Sequence, residues 1–472
     1  MRESRTFNED DQVLFAQLTG DLNPMHIDPV AARRTLAGSP VVHGIHNFLW
    51  LLDIIAFHHS DLKPIAALQV NFIRMLYVGE IATATISQLN DKLLRAKVSV
   101  GNVDVLHVTL FFGAPSSQPP LNELPDSPAL QPTAPIELSV DEMVGQFGRL
   151  AFATNSMDLA QKFPHASRLI EARRVAAIGC TTRLVGMVLP GLHSIYSKLN
   201  VRIVEGGEID NAIIFRTDNV DPRFRLARLA IFGAGLSGSL EAFNRPPPTA
   251  QAKMETIRGS VSQNEFSGST ALIVGGSRGL GELTAKMIAA GGAKVILTYA
   301  VGRDDAEAVV TELNKGGGDS RAIAYDVRRA PEAQLEGLAE RPTHLYYFAT
   351  PSIFRRGSSI FSANRFEEFN LYYIQGFFSL VEFGARNWGP VTFFYPSSTA
   401  LDQRPGNMTE YTMSKAAGEV LCADIDKHVR NVRVVMRRLP RLPTDQTASL
   451  NQKECADPTT VILPIIRDVQ SS

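Results

Sequence analysis

The stretch ALIVGGSRGLGELTAKMIAA, residues 271–290, decides the fold of the carboxyl-terminal part of the chain. Four apolar residues form a short strand, a glycine-rich turn follows, and a helical pattern begins near Glu282. Downstream, further short apolar strands alternate with helical segments and begin at Lys294, Ala322, Leu345 and Val391. That alternation predicts an α/β domain with a doubly wound parallel sheet over residues 270–472.

The glycine-rich turn indicates a nucleotide site, because glycines let the backbone approach a pyrophosphate at a helix N-terminus. The candidate cofactor residues in this turn are Gly275, Ser277, Arg278, Gly279, Leu280 and Gly281. The next strand ends without an acidic residue to hold a ribose 2′-hydroxyl, whereas Arg278 and Arg303 could hold a 2′-phosphate. We therefore expect NADP(H) in preference to NAD(H).

Three residues further along have a spacing that suits carbonyl reduction. Ser398 precedes Tyr411 by 13 residues, and Tyr411 and Lys415 stand four apart, on one face of a helix. A lysine ammonium one turn away is expected to lower the pKa of the phenol, so that Tyr411 can pass its proton to a ketone oxygen. Together with the glycine turn, this set resembles the short-chain dehydrogenase/reductases over residues 270–472.

The resemblance implies a Rossmann domain in which Tyr411 is the general acid and Ser398 holds the substrate oxygen. It further assigns the nicotinamide ribose to Lys415, the proton relay to Asn370, and the adenine to Asp326 and Val327. Two segments depart from the family pattern, namely Phe348-Ala-Thr-Pro351 and Pro440-Arg441. They leave open altered cofactor contacts, or a Rossmann domain that has only a structural role.

The rest of the chain is divided by two linkers. Residues 114–135 are rich in proline, which can neither continue a helix nor fill a core strand, and residues 244–269 form a second polar, breaker-rich stretch. Blocks 1–113 and 136–243 share a layout in which an apolar helix precedes several strands. A tandem repeat of an α+β domain, each helix wrapped by an antiparallel sheet, is therefore expected.

Block one carries an acid–base set. In Thr19-Gly-Asp-Leu-Asn-Pro-Met-His26 the carboxylate of Asp21 precedes the imidazole of His26 by five residues, across a turn that Asn-Pro enforces. In Ser39-Pro-Val-Val-His-Gly44 the last residue starts the apolar helix, so its N–H has no intrahelical partner and can polarise a carbonyl oxygen. The simpler alternative is that Asp21 and Asn23 cap a turn and His26 is structural.

The two segments together resemble the MaoC-like hot-dog family, in particular the (R)-specific enoyl-CoA hydratases. By that resemblance Asp21 and His26 handle the water, and the Gly44 N–H is the oxyanion donor. A serine that the family often has on this helix is missing, and His46 or Asn47 are candidates to replace it. Block two repeats the scaffold without the catalytic segment, so we expect a degenerate second hot dog that forms a tunnel wall.

Composition excludes several other classes of protein. The formal net charge is −1, which gives no excess field for nucleic acid, and the longest apolar stretch is too short to cross a bilayer. Three widely spaced cysteines support neither a disulfide framework nor a cysteine zinc site, and no metal site is expected. A polar amino terminus favours the cytoplasm.

The two chemistries are consecutive on one substrate class. We expect a bifunctional enzyme that reduces a 3-oxoacyl thioester with NADPH and dehydrates the (R)-3-hydroxyacyl product, with an acyl-CoA or acyl-carrier-protein thioester as partner. A homodimer is expected, because hot-dog folds often pair through their sheets. The alternatives are a non-catalytic scaffold that binds acyl thioesters, and a reductase of another carbonyl substrate with an idle hot-dog part.

Overall fold

Strands carry most of the amino-terminal half of the chain. The computed structural model describes residues 2–117, 129–205, 211–354, 360–447 and 455–472, so that part of the predicted first linker, 118–128, lies outside the described residues. The chain divides between Pro247 and Pro248 into two units, each with its own core.

The first unit is built on one 11-stranded sheet. Its strands are β1 (Arg2–Thr6), β2 (Ile65–Phe72), β3 (Ile81–Leu89), β4 (Leu93–Val100), β5 (Val103–Phe112), β6 (Ala129–Leu130), β7 (Phe147–Ala151), β8 (Ser194–Ile203), β9 (Ala212–Asp221), β10 (Leu226–Gly233) and β11 (Leu236–Asn244). They lie in the order β1-β3-β4-β5-β2-β8-β11-β10-β9-β7-β6. All neighbours are antiparallel except β6 and β7.

The sheet consists of two halves with the same strand order. In each half, the strand that follows the long helix lies at the centre of the 11-stranded sheet. These two strands, β2 and β8, pair antiparallel, from Ala67 opposite Arg202 to Asn71 opposite Lys198. The first half ends at β1. The corresponding strand of the second half is β7, and the short β6 lies beyond it. The strand order therefore repeats as the shared sequence layout predicts.

Helices pack against one face of this sheet. They are α1 (Glu9–Thr19), α2 (Pro24–Ile27), α3 (Pro29–Ala32), α4 (Gly44–His58), α5 (Leu159–Lys162), α6 (Pro164–Ile170) and α7 (Ala172–Arg183), and α7 continues into a π-helical turn, Leu184–Val188. The α4 helix is apolar almost all round, and residues Ile45 to Leu52 are all buried. It begins at Gly44, as expected from the sequence.

The second unit is an open parallel sheet. Its strands are β12 (Thr270–Val274), β13 (Lys294–Tyr299), β14 (Asp319–Ala324), β15 (His344–Tyr347), β16 (Val391–Ser398) and β17 (Val432–Leu439), in the order β14-β13-β12-β15-β16-β17. Every pairing is parallel. The strand order reverses between β12 and β15, which is where open parallel sheets of this kind bind ligands.

Helices flank this parallel sheet. They are α8 (Met254–Arg258), α9 (Gly279–Ala290), α10 (Arg303–Lys315), α11 (Glu332–Leu335), α12 (Ala363–Asn370), α13 (Gly376–Asn387), α14 (Ala400–Gln403), α15 (Thr409–His428) and α16 (Pro458–Gln470). A π-helical turn, Leu371–Gln375, joins α12 to α13. Within the described residues, no helix combines the length and the apolar character that crossing a bilayer requires.

Candidate active sites

The first candidate site is the turn between α1 and α2. Helix α1 ends at Gly20, whose φ of 74° is the left-handed conformation that glycine adopts freely, and α2 begins after Asn23, whose side chain accepts the N–H of Met25. Asn23 therefore does cap a helix, as the simpler interpretation holds. The same capping directs Asp21 and His26 to one place.

Asp21, His26 and His43 converge in this turn. One carboxylate oxygen of Asp21 and one ring nitrogen of each histidine lie within 4.8 Å of one another. The two imidazole rings stack with centroids 3.8 Å apart and planes inclined by 23°. The sequence prediction that Asp21 and His26 face one site agrees with this geometry, and their catalytic roles stay a prediction.

Hydrogen bonds define which atom of His26 is reactive. Its Nδ1 lies 2.8 Å from the carbonyl oxygen of Val41, which can only accept, so Nδ1 carries the proton and Nε2 keeps a lone pair. Burial lowers the pKa of His26, and the nearby Asp21 carboxylate opposes that shift. A neutral imidazole with a free Nε2 can act as a base.

Asp21 is buried and its pKa is raised. Desolvation is the main cause, and the charge of His26 and the hydroxyl of Thr182 oppose it. The carboxyl is 1% exposed, and its Oδ2 accepts the Thr182 hydroxyl at 2.7 Å. A raised carboxyl pKa favours an acid on Asp21 and a lowered imidazole pKa favours a base on His26, in contact with the same space.

Gly44 is the first residue of α4, so its N–H has no partner within the helix. A Cβ at this position would lie 2.8 Å from the Phe72 ring, so only glycine fits without a shift. His46 does not serve this site, because its ring is fully buried and stacks on Phe15 at 4.4 Å with an interplanar angle of 5°. The suggestion that His46 replaces the missing serine is therefore wrong, since the ring points into the apolar core.

The second candidate site lies at the carboxyl ends of β12 and β16. Ser398 ends β16, Tyr411 and Lys415 lie one turn apart on α15, and Asn370 ends α12 immediately before the π-helical turn. Tyr411 is 8% exposed. A hydrogen bond with the Ser398 hydroxyl lowers the pKa of Tyr411, but burial outweighs it and the pKa is raised.

Lys415 makes contacts that the spacing alone does not reveal. Its Nζ donates to the carbonyl oxygen of Pro396 at 2.7 Å and lies 3.9 Å from the centroid of the Tyr373 ring. Burial lowers the pKa of Lys415 to about 7. The expectation that its ammonium lowers the pKa of the Tyr411 phenol is therefore not met, because desolvation acts on both groups. Asn370 Oδ1 accepts the Ser414 hydroxyl at 2.9 Å.

The glycine turn has the conformation that close approach requires. Gly275 and Gly279 have φ of 79° and 58°, and a Cβ on Gly281 would lie 2.2 Å from the Gly275 carbonyl oxygen. Ser277 is buried, and Leu280 lies in the first turn of α9. The turn therefore leaves its backbone and the start of α9 free of side chains that would keep a pyrophosphate away.

The other predicted cofactor residues have partners of their own. Arg278 Nη1 lies 3.3 Å from the buried Asp445 carboxylate, and Arg303 is exposed and paired with Glu307 at 2.6 Å. Asp326 pairs with Arg328, and Val327 is buried next to it. A 2′-phosphate would therefore have to compete with Asp445 and Glu307 for the two arginines.

Comparison with known proteins finds a matching family model in each half of the chain. Residues 1–109 match the model of the MaoC like domain, and residues 269–342 match that of the short chain dehydrogenase. The chain joins a MaoC-like domain to a short-chain dehydrogenase domain. The first contains Asp21, His26 and Gly44, and the second begins with the glycine-rich turn.

Curated relatives resemble each domain separately. The 3-oxoacyl-[acyl-carrier-protein] reductase of Synechocystis sp. is 44% identical over 62 residues, 13% of this chain and 25% of that protein. Versicolorin reductase 1 of Aspergillus parasiticus is 38% identical over 84 residues, 18% of this chain and 32% of that protein. The mitochondrial 3-hydroxyacyl-[acyl-carrier-protein] dehydratase of Arabidopsis thaliana is 29% identical over 80 residues, 17% of this chain and 48% of that protein. The chain thus spans less than half the length of these relatives.

Among solved structures, a dehydrogenase/reductase from Sinorhizobium meliloti is 22% identical, covering 46% of this chain and 92% of that one with a TM-score of 0.38.

The MaoC-like site includes residues that the sequence did not single out. Thr182 and Gly186, from the long helix of the second half, touch the Asp21 carboxyl, and Asn23 Nδ2 donates to the carbonyl oxygens of Gly186 and Gly191. Thr182 lies 161 positions from Asp21. Its neighbours Thr181 and Arg183 are polar as well, so no sequence signal marks it.

Arg245 is a second residue without a sequence signal. It is 3% exposed, and its Nη2 donates to the Leu192 carbonyl oxygen at 2.9 Å, an oxygen that also accepts Asn23 Nδ2. Among the described residues, its Nε and Nη1 have no hydrogen-bond partner. Burial lowers the pKa of Arg245 to about 10, and its charge lowers the pKa of His26.

Proposed function

We propose that the protein is a bifunctional enzyme that reduces a 3-oxoacyl thioester and removes water from the resulting (R)-3-hydroxyacyl thioester. The observation that carries the proposal is the buried Asp21 carboxyl beside a His26 imidazole whose Nε2 is free, on the same chain as the Ser398–Tyr411–Lys415 set. Each set suits one of two consecutive reactions.

In the dehydration, His26 and Asp21 move the two protons. His26 Nε2 takes the proton from the carbon next to the thioester, the protonated Asp21 carboxyl gives its proton to the departing hydroxyl, and the carbon–oxygen bond breaks as the double bond forms. The N–H of Gly44 donates to the thioester oxygen while negative charge develops there. The proton on His26 then returns to Asp21, which restores the pair.

In the reduction, Tyr411 supplies the proton. A nicotinamide cofactor provides the hydride to the carbonyl carbon when it is bound. The Ser398 hydroxyl holds the substrate oxygen, and the Tyr411 hydroxyl donates its proton to that oxygen. Lys415, whose pKa burial lowers to about 7, lies beside the Tyr373 ring and one helical turn from Tyr411.

The residues of the turn fit a dinucleotide, because the backbone around Gly275 and Gly281 is too close for any side chain. We propose NADP(H) rather than NAD(H) as the cofactor. The residues that would hold it are Gly275, Ser277, Arg278, Gly279, Leu280, Gly281, Arg303, Asp326, Val327 and Lys415. Arg278 would exchange its contact with Asp445 for the phosphate.

An acyl thioester is the proposed substrate, carried by coenzyme A or by an acyl carrier protein. The names of two relatives support this class, since a 3-oxoacyl reductase and a 3-hydroxyacyl dehydratase act on consecutive thioesters. The repeated strand order supports a catalytic hot-dog domain at 1–113 and a degenerate one at 136–243, with linkers 114–135 and 244–269 and a Rossmann domain at 270–472. A homodimer stays part of the proposal.

The test incubates the purified full chain with a panel of 3-oxoacyl thioesters and NADPH, and follows NADPH absorbance. We expect NADPH to be consumed with the thioesters and not with the free ketones. Enoyl absorbance that responds to the enzyme while NADPH is never consumed would remove the reductase from the proposal.

A second candidate is a dehydratase whose reductase domain binds a nucleotide without turnover. The observation that favours it is the engagement of Lys415 by the Pro396 carbonyl and of Arg278 by Asp445. NADPH binding without consumption, measured by fluorescence, would support this candidate over the bifunctional one.

A further inference from the structure

The long helix of the second half reaches the Asp21 carboxyl in the first half. The Thr182 hydroxyl on α7 donates to Asp21 Oδ2 at 2.7 Å, and both side chains are buried. We propose that Thr182 is a positioning residue that fixes the Asp21 carboxyl for proton transfer, so that the half without catalytic segments completes the site. This inference rests on the proposed dehydratase function.

The Thr182 hydroxyl departs from what a helical threonine usually does. Threonine in a helix commonly donates to a carbonyl oxygen three or four residues earlier. Thr181, its neighbour, does so and donates to the Ile178 carbonyl oxygen at 2.7 Å. Thr182 instead donates across to Asp21, so its hydroxyl takes the rotamer that faces the first half of the unit.

Gly186 closes the other side of the carboxyl. A Cβ there would lie 2.1 Å from Asp21 Oδ1, so no side chain larger than hydrogen fits at this position. Gly186 belongs to the π-helical turn that begins two residues after Thr182. The carboxyl is therefore held in a slot between a donor and a glycine of the same helix, which limits its rotation.

Charged and titratable groups face this carboxyl from every side. His26 lies in α2, which follows Asp21 closely in the chain. His43, at the start of α4, has its Nε2 3.9 Å from Asp21 Oδ2. Arg183 follows Thr182 on the second-half helix. Arg245 acts on His26. Burial raises the pKa of Asp21, and the Thr182 donor opposes that rise.

Loss of the Thr182 hydroxyl should therefore change the pH dependence of hydration. The Asp21–His26 pair works when it holds one proton in total. Burial raises the pKa of Asp21 and lowers that of His26, and both shifts favour the carboxyl as the holder of that proton. Loss of the donor raises the pKa of Asp21 further, so the basic limb of activity moves to higher pH.

The test compares T182V, which keeps the shape and removes the hydroxyl, with T182S, which keeps the hydroxyl, and with T181V as the matched control. Hydration of crotonyl-CoA and of trans-2-decenoyl-CoA by the full chain is measured from acid to alkaline pH. We expect kcat of T182V to fall about 10- to 100-fold with little change in KM, because the Thr182 hydroxyl stabilises the negative charge that Asp21 acquires when it gives up its proton. In T182V the basic limb of the pH profile should move to higher pH, and in T182S it should lie at its wild-type position. T181V should have nearly the wild-type kcat and pH profile.

The outcomes separate this inference from the proposed function. Wild-type hydration together with an unchanged kcat and basic limb in T182V overturns the inference alone. An equal loss in T181V also overturns it, because the effect would then be structural; circular dichroism and thermal unfolding check the fold of each variant. Absence of hydration in the wild type overturns the dehydratase function and the inference with it.

Discussion

At the scale of single residues, environment decides the chemistry of the amino-terminal site. In water at neutral pH an aspartate would be charged and a histidine mostly neutral. Burial raises the pKa of Asp21 and lowers that of His26. The two shifts have opposite signs, and both favour the carboxyl as the holder of the single proton. The sequence predicted which residues meet, but it could not predict these shifts, because burial depends on residues distant in the chain.

Arg245 provides a test of this electrostatic arrangement. Its charge lowers the pKa of His26, so R245M, which has a similar length and no charge, should raise the pKa of His26. The Asp21–His26 pair should lose activity when it takes up a second proton, on the His26 ring. The acid limb of hydration should therefore move to higher pH in this variant. Rates measured across the acid range check this, and an acid limb that stays in place would show that the charge does not reach His26.

The three ligand-type groups at this site should function without a metal ion. The rings of His26 and His43 stack nearly face to face at 3.8 Å, so the lone pairs of their nitrogens run side by side rather than towards one point. We expect dialysis against a chelator to leave hydration unchanged. Activity that is lost to the chelator and regained with Zn²⁺ would contradict this interpretation.

At the scale of elements, local patterns were enough to predict the helices and strands that carry the sites. The apolar run became α4, the stretches from Lys294 and Val391 became β13 and β16, and the glycine turn joined β12 to α9. The strand β1 was not predicted, because its sequence is polar and its pairing with β3 depends on residues about 80 positions away. The contact between Thr182 and Asp21 was missed for the same reason.

The junction of β12 and α9 permits a test at this scale. G281A places a Cβ 2.2 Å from the Gly275 carbonyl oxygen, so the turn must shift and the start of α9 with it. We expect NADPH binding to weaken by at least about tenfold, equivalent to about 1.4 kcal/mol. G337A, where a Cβ meets nothing within 4 Å, is the control in the same unit. Equal binding of NADPH by both variants, measured by fluorescence titration, would argue against a nucleotide at this turn.

At the scale of the whole molecule, the proposed function assigns two consecutive reactions to the two units. The second unit contains Ser398, Tyr411 and Lys415, and the first contains Asp21 and His26. The product of a ketone reduction is the alcohol that a dehydratase consumes. The order of reaction and the class of substrate are therefore one claim, which can be tested on the intact chain.

The most direct measurement is mass spectrometry of the products that the full chain forms from a 3-oxoacyl thioester and NADPH. Wild type should give the trans-2-enoyl thioester, D21N should stop at the 3-hydroxyacyl thioester, and Y411F should leave the 3-oxoacyl thioester unreacted. Loss of either proton donor should lower its own step by about 100- to 10,000-fold. An enoyl product that forms equally in all three proteins, or in none of them, would contradict the assignment of both sites.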